Sequence, residues 1–364
     1  MVRLVEARRT HLLAKVITYS CLSVAPLFLN VACAQVPTST RYEFIPDEAL
    51  LSRLSVLSRL SQSVSAEVFE VKGERRVESA FLPAQSLILH PGSRLILSST
   101  VGPNGWLSPD SAGAGQELYL IATSIRVLPG LPPPIITWDS DSTELRLPPS
   151  SGRAQSGTNG RVEGAPGTSG AAGSEGNPGF PGKNAPRLFL AAREISGGPI
   201  YVDLSGQSGG PGGDGQAGGE GGNGQRGTSA KADIFTCRSG GGRGGDGGGA
   251  GPGGKGGPGG RGGDAGSLVL ISSGETRRDL ERAVVLVANG GPGGKGGRGG
   301  PPGQPGIGGP PGPANLPFCG GGTPGANGAP AKPGPDNDLP GPNGTNGTAY
   351  SVEISPRNMK AIGF

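Results

Sequence analysis

The sequence has few of the residues on which catalytic and metal-binding sites usually depend. Its 364 residues include only two histidines, four cysteines and 4% aromatic residues. His11 lies in the N-terminal leader, so a Ser-His-Asp site would depend wholly on His90. His90 precedes Pro91-Gly-Ser, a composition typical of a turn. These absences exclude a histidine metal cluster, and the sequence predicts no catalytic, cofactor-binding or metal-binding residue.

Hydrophobic residues are also scarce, at 33% of the chain, whereas glycine contributes 73 residues and proline 36. This composition is too lean for one conventional globular core. An ordered structure must then arise from repeated units stacked along an axis, in which each unit packs only against its neighbours. The net charge of +4 is small and spread along the chain, so it does not favour a nucleic-acid partner.

Residues 1–34 have the pattern of a secretory signal peptide. Four basic residues among the first 15 precede an apolar run that ends at Ala32-Cys33-Ala34. Small residues at these positions are typical of signal-peptide cleavage, and the run is short for a permanent membrane span. The sequence therefore predicts a protein that is secreted to the exterior or the cell surface, with the periplasm as an alternative, and a mature chain without a membrane span.

Two of the four cysteines, Cys21 and Cys33, lie in this leader. The exported chain would keep Cys237 and Cys319, which could form a disulfide between two glycine-rich stretches in an oxidising compartment. They stand 82 positions apart and have no zinc-site spacing around them.

Residues 35–76 are predicted to form an extended arm followed by a helix that begins near Pro46. A leucine stripe at helical spacing marks one face of this helix, at Leu50, Leu51, Leu54, Leu57 and Leu60. The favoured interpretation is a helix that caps the open end of a repeat stack. An oligomerisation helix and a membrane-surface helix remain alternatives.

Short apolar runs broken by proline and glycine predict β-strands from about residue 77 onwards. Units that begin at Leu118, Leu188 and Leu268 share a Leu-x-Leu start and a second β-rich run after a turn or, before 284–287, after a charged loop at 275–282. Such short strands cannot stand alone, but stacked parallel coils bury a continuous apolar column. We therefore predict a mainly β fold, a parallel β-solenoid with a β-rich region at 77–150 and a terminal strand and tail at 349–364.

Glycine recurs every third residue in blocks of residues 151–348, for example without a break from Gly206 to Gly227. This period fits a polyproline II helix, which places every third residue on one face. Strand pairs interrupt the blocks, so the sequence predicts glycine-rich polyproline II arrays that leave one corner of the solenoid.

Gly179-Phe-Pro-Gly182 and Gly300-Pro-Pro-Gly303 resemble secreted bacterial collagen-like, glycine-rich repeat proteins. Other units, such as Gly209-Gly-Pro-Gly-Gly-Asp214, carry a second glycine and are similar to glycine-rich antifreeze bundles and some phage-tail adhesin tips. The second resemblance implies antiparallel polyproline II helices packed within one chain. That bundle is the favoured structure, and a trimeric triple helix and disorder are its alternatives.

Two acidic patterns in the sequence bear on chemistry. Gly-Gly-x-Gly-x-Asp at 209–214, 241–246 and 259–264 matches the start of a calcium-binding β-roll repeat, but Gln216, Gly248 and Gly266 stand where that repeat needs a large aliphatic residue. Carboxylates on a β-helix could also form a polysaccharide-cleaving site, for which the candidates are Asp139, Asp141, Glu194 and Asp203. No spacing selects a pair among them, so solvated strand-edge charges are the favoured interpretation.

The sequence thus predicts a secreted structural or adhesive protein of a surface or matrix, without catalysis and without a cofactor. Its expected partners are polysaccharide or cell-surface and matrix components, and a monomer is favoured over a trimer. The alternative is a β-helix carbohydrate-active enzyme or polysaccharide-binding protein. Ice or crystal binding follows only from the resemblance to antifreeze bundles.

Overall fold

The computed structural model of this chain describes residues 40–44, 68–98, 117–140 and 152–355. These residues belong to one unit, Pro37–Phe364. The predicted signal peptide, the predicted helix near 46–62 and Asp141 lie outside the described residues.

Most regular structure in the described residues is strand, in two parallel sheets. In chain order the strands are β1 (Tyr42–Phe44), β2 (Val68–Val71), β3 (Glu74–Val77), β4 (Phe81–Leu89), β5 (Arg94–Leu97), β6 (Glu117–Val127), β7 (Ile135–Trp138), β8 (Arg187–Ser196), β9 (Ile200–Asp203), β10 (Lys231–Ala232), β11 (Cys237–Ser239), β12 (Leu268–Ser272), β13 (Val284–Val287) and β14 (Ala349–Glu353). Sheet A has the order β1-β14-β12-β8-β6-β4-β2, and sheet B has the order β13-β9-β7-β5-β3. The prediction of a mainly β chain with parallel strands is confirmed.

The main core lies between the two sheets. In sheet A, Leu120, Leu190 and Leu270 stand side by side in register and are buried. Sheet B contributes a matching row in which Ile136 pairs with Leu95 and with Val202. Parallel stacking places the same kind of side chain at the same height in successive strands, which explains why the Leu-x-Leu starts recur in the sequence.

Glycine with a positive φ lies in several of the turns that join a sheet A strand to the next sheet B strand. Gly92 and Gly197 have φ values of 67° and 102°, a region that residues with a side chain rarely adopt. At Gly197 a Cβ atom would also lie 2.1 Å from the carbonyl oxygen of Val127 in the neighbouring strand. The turn at 196–198 therefore requires glycine both for its backbone conformation and for its close approach to β6.

The N-terminal strand closes one end of the stack. β1 pairs in parallel with β14, the last strand of the chain. The hydroxyl of Tyr42 donates a 2.6 Å hydrogen bond to the carbonyl oxygen of Val284, and Thr40 Oγ1 accepts one of 2.7 Å from the N–H of Leu286. Burial raises the pKa of Tyr42 above its ordinary value. The segment thus covers exposed edges of both sheets at β14 and β13.

The charged stretch at 275–282, predicted to be a loop, is largely helical. Helix α1 covers Arg277–Ala283 and is the only helix in the part of the chain that the structure describes. Its single buried residue, Leu280, joins the core between the sheets. Arg277 and Glu281 form a pair at the i,i+4 spacing, with 3.6 Å between Nη1 and Oε1. The burial of Leu280 and the pair between Arg277 and Glu281 stabilise a helix in a stretch whose composition is typical of a loop.

The glycine-rich stretches form six segments, which we number along the chain: segment 1 (152–163), segment 2 (165–186), segment 3 (205–230), segment 4 (240–267), segment 5 (288–314) and segment 6 (320–348). They come in three pairs, and each pair links the end of a sheet B strand to the start of a sheet A strand. Segments 1, 3 and 5 therefore leave the sheets, and segments 2, 4 and 6 return to them.

Backbone hydrogen bonds join neighbouring segments at intervals of three residues. Neighbouring segments that run in the same direction are joined by hydrogen bonds in which one glycine of each triplet donates its N–H. The N–H of Gly206 in segment 3, for example, donates to the carbonyl of Asn289 in segment 5. Neighbouring segments that run in opposite directions are joined by the N–H of a different position of the triplet, and this position is mostly glycine. One such row passes through five segments, with N–H to O distances of 2.7–2.8 Å: Gly341 to Gly294, Gly294 to Gly260, Gly260 to Gly210 and Gly210 to Phe180.

Backbones in these segments approach so closely that no side chain would fit between them. A Cβ atom at Gly260 would lie 2.0 Å from the carbonyl oxygen of Phe180, and one at Gly294 would lie 1.9 Å from that of Gly210. Contacts this short do not occur at real Cβ atoms. The second glycine of the Gly-Gly-x triplets is thus explained by close contact with a second neighbouring segment.

Asparagine and aspartate side chains form a further set of bonds between segments. In each case Oδ1 accepts a backbone N–H from an adjacent segment, for example Asn223 Oδ1 from Ile307 at 2.8 Å. The position of the acceptor in the triplet is occupied by Asn or Asp without distinction, because both present this oxygen. The residues that act in this way are Asn159, Asn184, Asp214, Asn223, Asp246, Asp264, Asn327, Asp336, Asn343 and Asn346.

Candidate functional site

Three short loops lie at the same end of the glycine segments, opposite the end that joins the sheets. We call these loops, residues 161–165, 231–239 and 315–319, the distal tip. Each one reverses the chain between an outgoing and a returning segment. The middle loop contains the antiparallel pair β10–β11. The loops lie at one end because segments 1 to 6 are hydrogen-bonded to one another along their length, and the first loop lies beside Gln225 and Arg226.

Large apolar side chains are concentrated on the distal tip. Five of the eleven exposed large hydrophobic residues of the described chain lie on it, although its loops contain only 19 residues. They are Val162 (69% exposed), Ile234 (80%), Phe235 (80%), Leu316 (78%) and Phe318 (44%). Single exposed hydrophobic residues are ordinary, but a cluster of them at one end of a molecule is a feature of contact surfaces.

The tip is held together covalently as well as by hydrogen bonds. Cys237 and Cys319 form a disulfide with 5.1 Å between their Cα atoms, and it joins the second loop to the third. The third loop is closed by Asn315, whose N–H donates to the carbonyl of Cys319 at 3.0 Å and whose carbonyl accepts from Cys319 at 2.8 Å. Gly164 at the first loop donates to the carbonyl of Arg226 at 2.7 Å. The apolar side chains therefore project from a cross-linked frame.

Charges on the tip are few and partly paired. Asp233 and Arg238 form an ion pair across the second loop. Arg161, Glu163 and Lys231 are exposed on the same loops. A surface with little net charge and with aromatic and aliphatic side chains can make apolar contact and can stack on planar or sugar-ring faces. It offers no arrangement of nucleophile, base and oxyanion donors.

His90, the single histidine among the described residues, is hydrogen-bonded to a neighbouring carboxylate. Its Nε2 atom lies 2.6 Å from Oε1 of Glu70 on β2. This hydrogen bond, together with one from Lys72, holds the pKa of Glu70 below its ordinary value. His90 therefore takes part in a side-chain hydrogen bond at a turn, as the turn-like sequence around it suggested.

The acidic candidates for a polysaccharide-cleaving site do not converge on one another. Asp139 pairs with Arg76. Asp203 accepts a 3.0 Å hydrogen bond from the N–H of Ser205 and lines a cleft of about 250 Å³ beside Trp138. Glu194 lies elsewhere, in a cleft of about 350 Å³ that also contains Glu275 and Asp279.

The aspartates of the three Gly-Gly-x-Gly-x-Asp matches belong to the bonds between segments. Asp214, Asp246 and Asp264 each accept a backbone N–H of a neighbouring segment, from Arg298, Ala326 and Thr345. Their recurrence follows from the need for an acceptor at these positions. Within the described ranges, no three His, Cys, Asp or Glu side chains are grouped in a way that could hold a metal ion.

The tip residues were not singled out from the sequence. The only available signal was the presence of large apolar residues in otherwise polar or glycine-rich stretches, as at Ile234-Phe235 and Leu316-Pro-Phe318. Such residues are ordinarily assigned to a core. Their exposure becomes evident only when the three chain reversals are brought to one end.

Comparison with known proteins assigns no family. No family model matches the chain, and no curated protein matches it. One solved structure found in the search is described as "Crystal waters on the nine polyproline type II helical bundle springtail antifreeze protein from Granisotoma rainieri match the ice lattice". It is 24% identical over 51% of this chain and 96% of that chain, with a TM-score of 0.07. A TM-score of this size carries no argument about the fold of this chain.

No helix among the described residues is long and apolar enough to span a membrane.

Proposed function

We propose that the chain is a secreted structural or adhesive protein of a cell surface or matrix, in which the distal tip makes the contact. In this proposal β2 to β14 form a parallel β-solenoid, and the six glycine segments form a bundle of polyproline II helices that projects from one corner. The solenoid assignment is supported by the parallel register of both sheets and by the alternation of sheet A and sheet B strands along the chain. The bundle is supported by the three-residue spacing of the hydrogen bonds.

The observation that carries the proposal is the cluster of exposed apolar side chains on a cross-linked tip. Folding ordinarily buries side chains such as Ile234 and Phe235, so their exposure calls for a role outside the folded chain. The disulfide between Cys237 and Cys319 restrains the loops before a partner arrives, which lowers the entropy lost on binding.

The bonding of the segments favours a monomer over a collagen-like trimer. A triple helix needs glycine N–H groups to bond to other chains at its axis. Here those groups donate to segments of the same chain, as Gly254 does to Gln216 and Gly300 does to Gly254. A trimer would have to break this set of bonds, so an intramolecular bundle is the better account of the glycine period.

Polysaccharide and matrix components are the partners that this surface fits best. Aromatic side chains such as Phe235 and Phe318 can stack on sugar rings, and the small charge of the tip does not select one sign of ligand. A nucleic-acid partner is disfavoured, because the basic residues of the chain are interspersed with acids rather than gathered on a stripe.

The test is binding of the chain to three immobilised probes: alginate, cellulose and collagen. We expect retention on at least one of them. The double substitution Ile234→Ser and Phe235→Ser should weaken that binding at least about tenfold, because two apolar side chains at a contact contribute more than 1.4 kcal/mol.

The matched control replaces two equally exposed apolar residues outside the tip, Leu131→Ser and Leu339→Ser, which are 87% and 75% exposed. This control should bind like the unmodified chain. Equal weakening by the control would contradict the role of the tip, and no retention on any probe would contradict the adhesive function.

A carbohydrate-active enzyme is the second candidate, and the cleft that contains Glu194, Glu275 and Asp279 is the observation that favours it. A pair of carboxylates is the usual arrangement for glycoside cleavage. This candidate predicts release of reducing sugar from a polysaccharide, and loss of that activity in Glu194→Gln without a change in the melting temperature. Absence of release from all polysaccharides that the chain binds would remove it.

A further inference from the structure

Segments 5 and 6 form one edge of the glycine segments, and the sequence has no glycine-rich stretch after them. We call position a the residue of each triplet whose N–H donates to the next segment in the same direction, as Gly206 of segment 3 does. It directly precedes the residue that donates to the antiparallel neighbour, which identifies position a in segments 5 and 6 as well. In segments 3 and 4, position a is glycine or alanine throughout.

Position a has a different composition at the edge. The position-a residues are Gly290, Gly293, Gly296, Gly299, Pro302, Pro305, Gly308 and Pro311 in segment 5 and Gly321, Pro324, Asn327, Pro330, Pro333, Asp336, Pro340, Asn343 and Asn346 in segment 6. Those of segment 6 are all exposed, whereas those of segment 4 are buried or half-buried. Proline has no N–H, so the proline positions cannot donate to a further segment.

Side chains of segment 6 satisfy most of the remaining position-a donors of segment 5. In each case an Oδ1 atom accepts a glycine N–H: Asn346 from Gly290 at 2.9 Å, Asn343 from Gly293 at 2.9 Å, Asp336 from Gly299 at 2.7 Å and Asn327 from Gly308 at 3.0 Å. Between segments 3 and 5 the same kind of N–H donates to a backbone carbonyl. The side-chain oxygens therefore replace the carbonyls of a missing parallel neighbour.

The two segments match each other residue by residue along this edge. Where segment 5 has a glycine donor, segment 6 has Asn or Asp beside it, in the four pairs given above. Between the Gly299 and Gly308 bonds the three-residue period places proline beside proline, at Pro302 with Pro333 and at Pro305 with Pro330. A donor and its acceptor are thus present together or absent together.

One position departs from this match. Gly296 stands opposite Pro340, and its N–H has no acceptor among the residues that the structure describes. The departure lies where the period of segment 6 is interrupted, since four residues separate Asn337 from Gly341 although their partners Gly297 and Gly294 are three apart.

The opposite edge, formed by segments 1 and 2, presents free acceptors. Arg153, Ser156 and Asn159 of segment 1 are exposed, and their backbone carbonyls accept no N–H from the described residues. The bonds from segment 1 to segment 3 and from segment 3 to segment 5 fix the height of segment 1. Continued by one more step, the same repeat would bring these carbonyls of a second copy to positions 302, 305 and 308. Such a contact would not close on itself and would lead to a fibre.

We propose that position a of segments 5 and 6 is a terminal edge, which prevents segment 1 of a second copy from docking and so keeps the chain monomeric. Pro302 and Pro305 offer no donors at two of the three places where that segment would bond. Asn327 already supplies the acceptor at the third, Gly308. This inference does not depend on the adhesive function.

The sheets end in a comparable way at the same coil. Segment 5 follows β13 and segment 6 precedes β14, and these two strands are covered by β1 and by Thr40. The last coil is therefore closed in both regions of the molecule, by a strand at the sheets and by side chains at the glycine segments.

An opened-edge variant of the full chain tests the proposal. Its five substitutions restore glycine at three adjacent pairs of position a: Pro302→Gly, Pro305→Gly, Asn327→Gly, Pro330→Gly and Pro333→Gly. The matched control has the same kinds of substitution at the triplet position whose N–H does not bond to a neighbouring backbone: Pro292→Gly, Pro301→Gly, Pro310→Gly, Pro335→Gly and Asn223→Gly. Both variants lose four prolines and one asparagine acceptor, so their stabilities should fall to a similar extent.

Sedimentation equilibrium from about 1 µM to about 100 µM protein measures the association. We expect the unmodified chain and the control to keep the mass of one chain, and the average mass of the opened-edge variant to rise at least about 1.5-fold over this range. A monomeric opened-edge variant with the melting temperature of the control would overturn the proposal. So would association of the unmodified chain, or equal association of the control.

Hydrogen exchange of the unmodified chain, followed by NMR, tests the capping side chains without any variant. The amides of Gly293 and Gly299 should exchange at least about tenfold more slowly than that of Gly296, because only the first two donate to a side-chain oxygen. Gly296 is a matched control, since it lies between them at the same triplet position. Equal exchange of the three amides would show that the edge is not capped and would overturn the proposal.

Discussion

The sheets and the glycine segments of this chain are stabilised in opposite ways. Between the sheets, leucine, isoleucine and valine side chains such as Leu95, Leu120 and Leu190 fill the space, and their burial supplies the stabilisation. Between the glycine segments the absence of a side chain brings the backbones together, and regularly spaced N–H to carbonyl bonds join them. The sheets therefore depend on large apolar side chains that fill the core. The glycine segments depend on the absence of Cβ atoms between their backbones.

This contrast explains how a chain with 33% hydrophobic residues can still form an extensive ordered structure. Glycine pays the largest conformational entropy on ordering, so each segment is a poor structure by itself. The hydrogen bonds to several neighbours and the Asn and Asp acceptors offset this cost collectively. The sheets supply the fixed ends from which each pair of segments departs and to which it returns.

The largest expected loss of stability follows from the truncation of a side chain in the core between the sheets. Leu190→Ala should destabilise the chain by about 3 kcal/mol, because Leu190 is completely buried between Leu120 and Leu270 and its truncation leaves a cavity. Denaturant unfolding followed by far-UV circular dichroism measures this loss. A change below about 1 kcal/mol would show that the sheets are not the main source of stability.

The next largest loss of stability is expected when a Cβ atom is added within the glycine segments. Gly297→Ala would place Cβ 2.0 Å from the carbonyl oxygen of Gly213, so a loss of roughly 1–3 kcal/mol is expected. Gly249→Ala is the matched control, since its Cβ would have no neighbour closer than 3.4 Å. Amide hydrogen exchange should show faster exchange in segments 3 to 5 for Gly297→Ala only, with the protection of the sheets retained. Equal behaviour of the two variants would contradict the close packing of the segments.

The smallest effect concerns the charge on an acceptor between segments. The N–H of Thr345, followed by weaker contributions from the Thr345 hydroxyl and Arg261, holds the pKa of Asp264 below its ordinary value of 3.8. A lowered pKa in the folded state gives stability that is present above pH 3.8 and is lost as the pH falls through the folded value. Asp264→Asn keeps the acceptor oxygen without the charge.

The melting temperature of Asp264→Asn should therefore fall less than that of the unmodified chain between pH 5 and pH 2. Because the side chain of Asp264 is about 29% exposed and its interactions are partly screened by solvent, the difference should be only roughly 1–2 °C. A larger acid sensitivity in the Asn variant than in the unmodified chain would contradict this assignment.

Much of the fold could be predicted from residue patterns. The strands at 118–122, 188–192 and 268–271 were recognisable from their repeated Leu-x-Leu starts, and the turn at 196–198 from its glycines. The sequence left Cys237 and Cys319 as a possible disulfide pair if residues 1–34 are a signal peptide, and the structure joins them. Helix α1 was missed because a stretch of seven residues with one apolar position carries too little periodic signal, and only the contact of Leu280 with the core makes it favourable.

The candidate site was much less accessible to sequence reasoning. Ile234, Phe235, Leu316 and Phe318 are separated by up to 84 positions along the chain, and nothing local distinguishes an exposed apolar residue from a buried one. The aspartates of the Gly-Gly-x-Gly-x-Asp matches illustrate the same limit. Their spacing is that of a calcium motif, whereas their hydrogen-bond partners lie in segments about 80 residues away.

The sequence by itself determined the local structure: short β-strands where branched and aliphatic residues recur, and a three-residue backbone period where glycine does. Those preferences are local because sterics and side-chain volume act on neighbouring residues. Only the tertiary structure decided which segments are neighbours, which backbone groups bond to one another and which apolar residues remain exposed. Those outcomes depend on the simultaneous satisfaction of distant hydrogen-bond donors and on the joining of three chain reversals at one end.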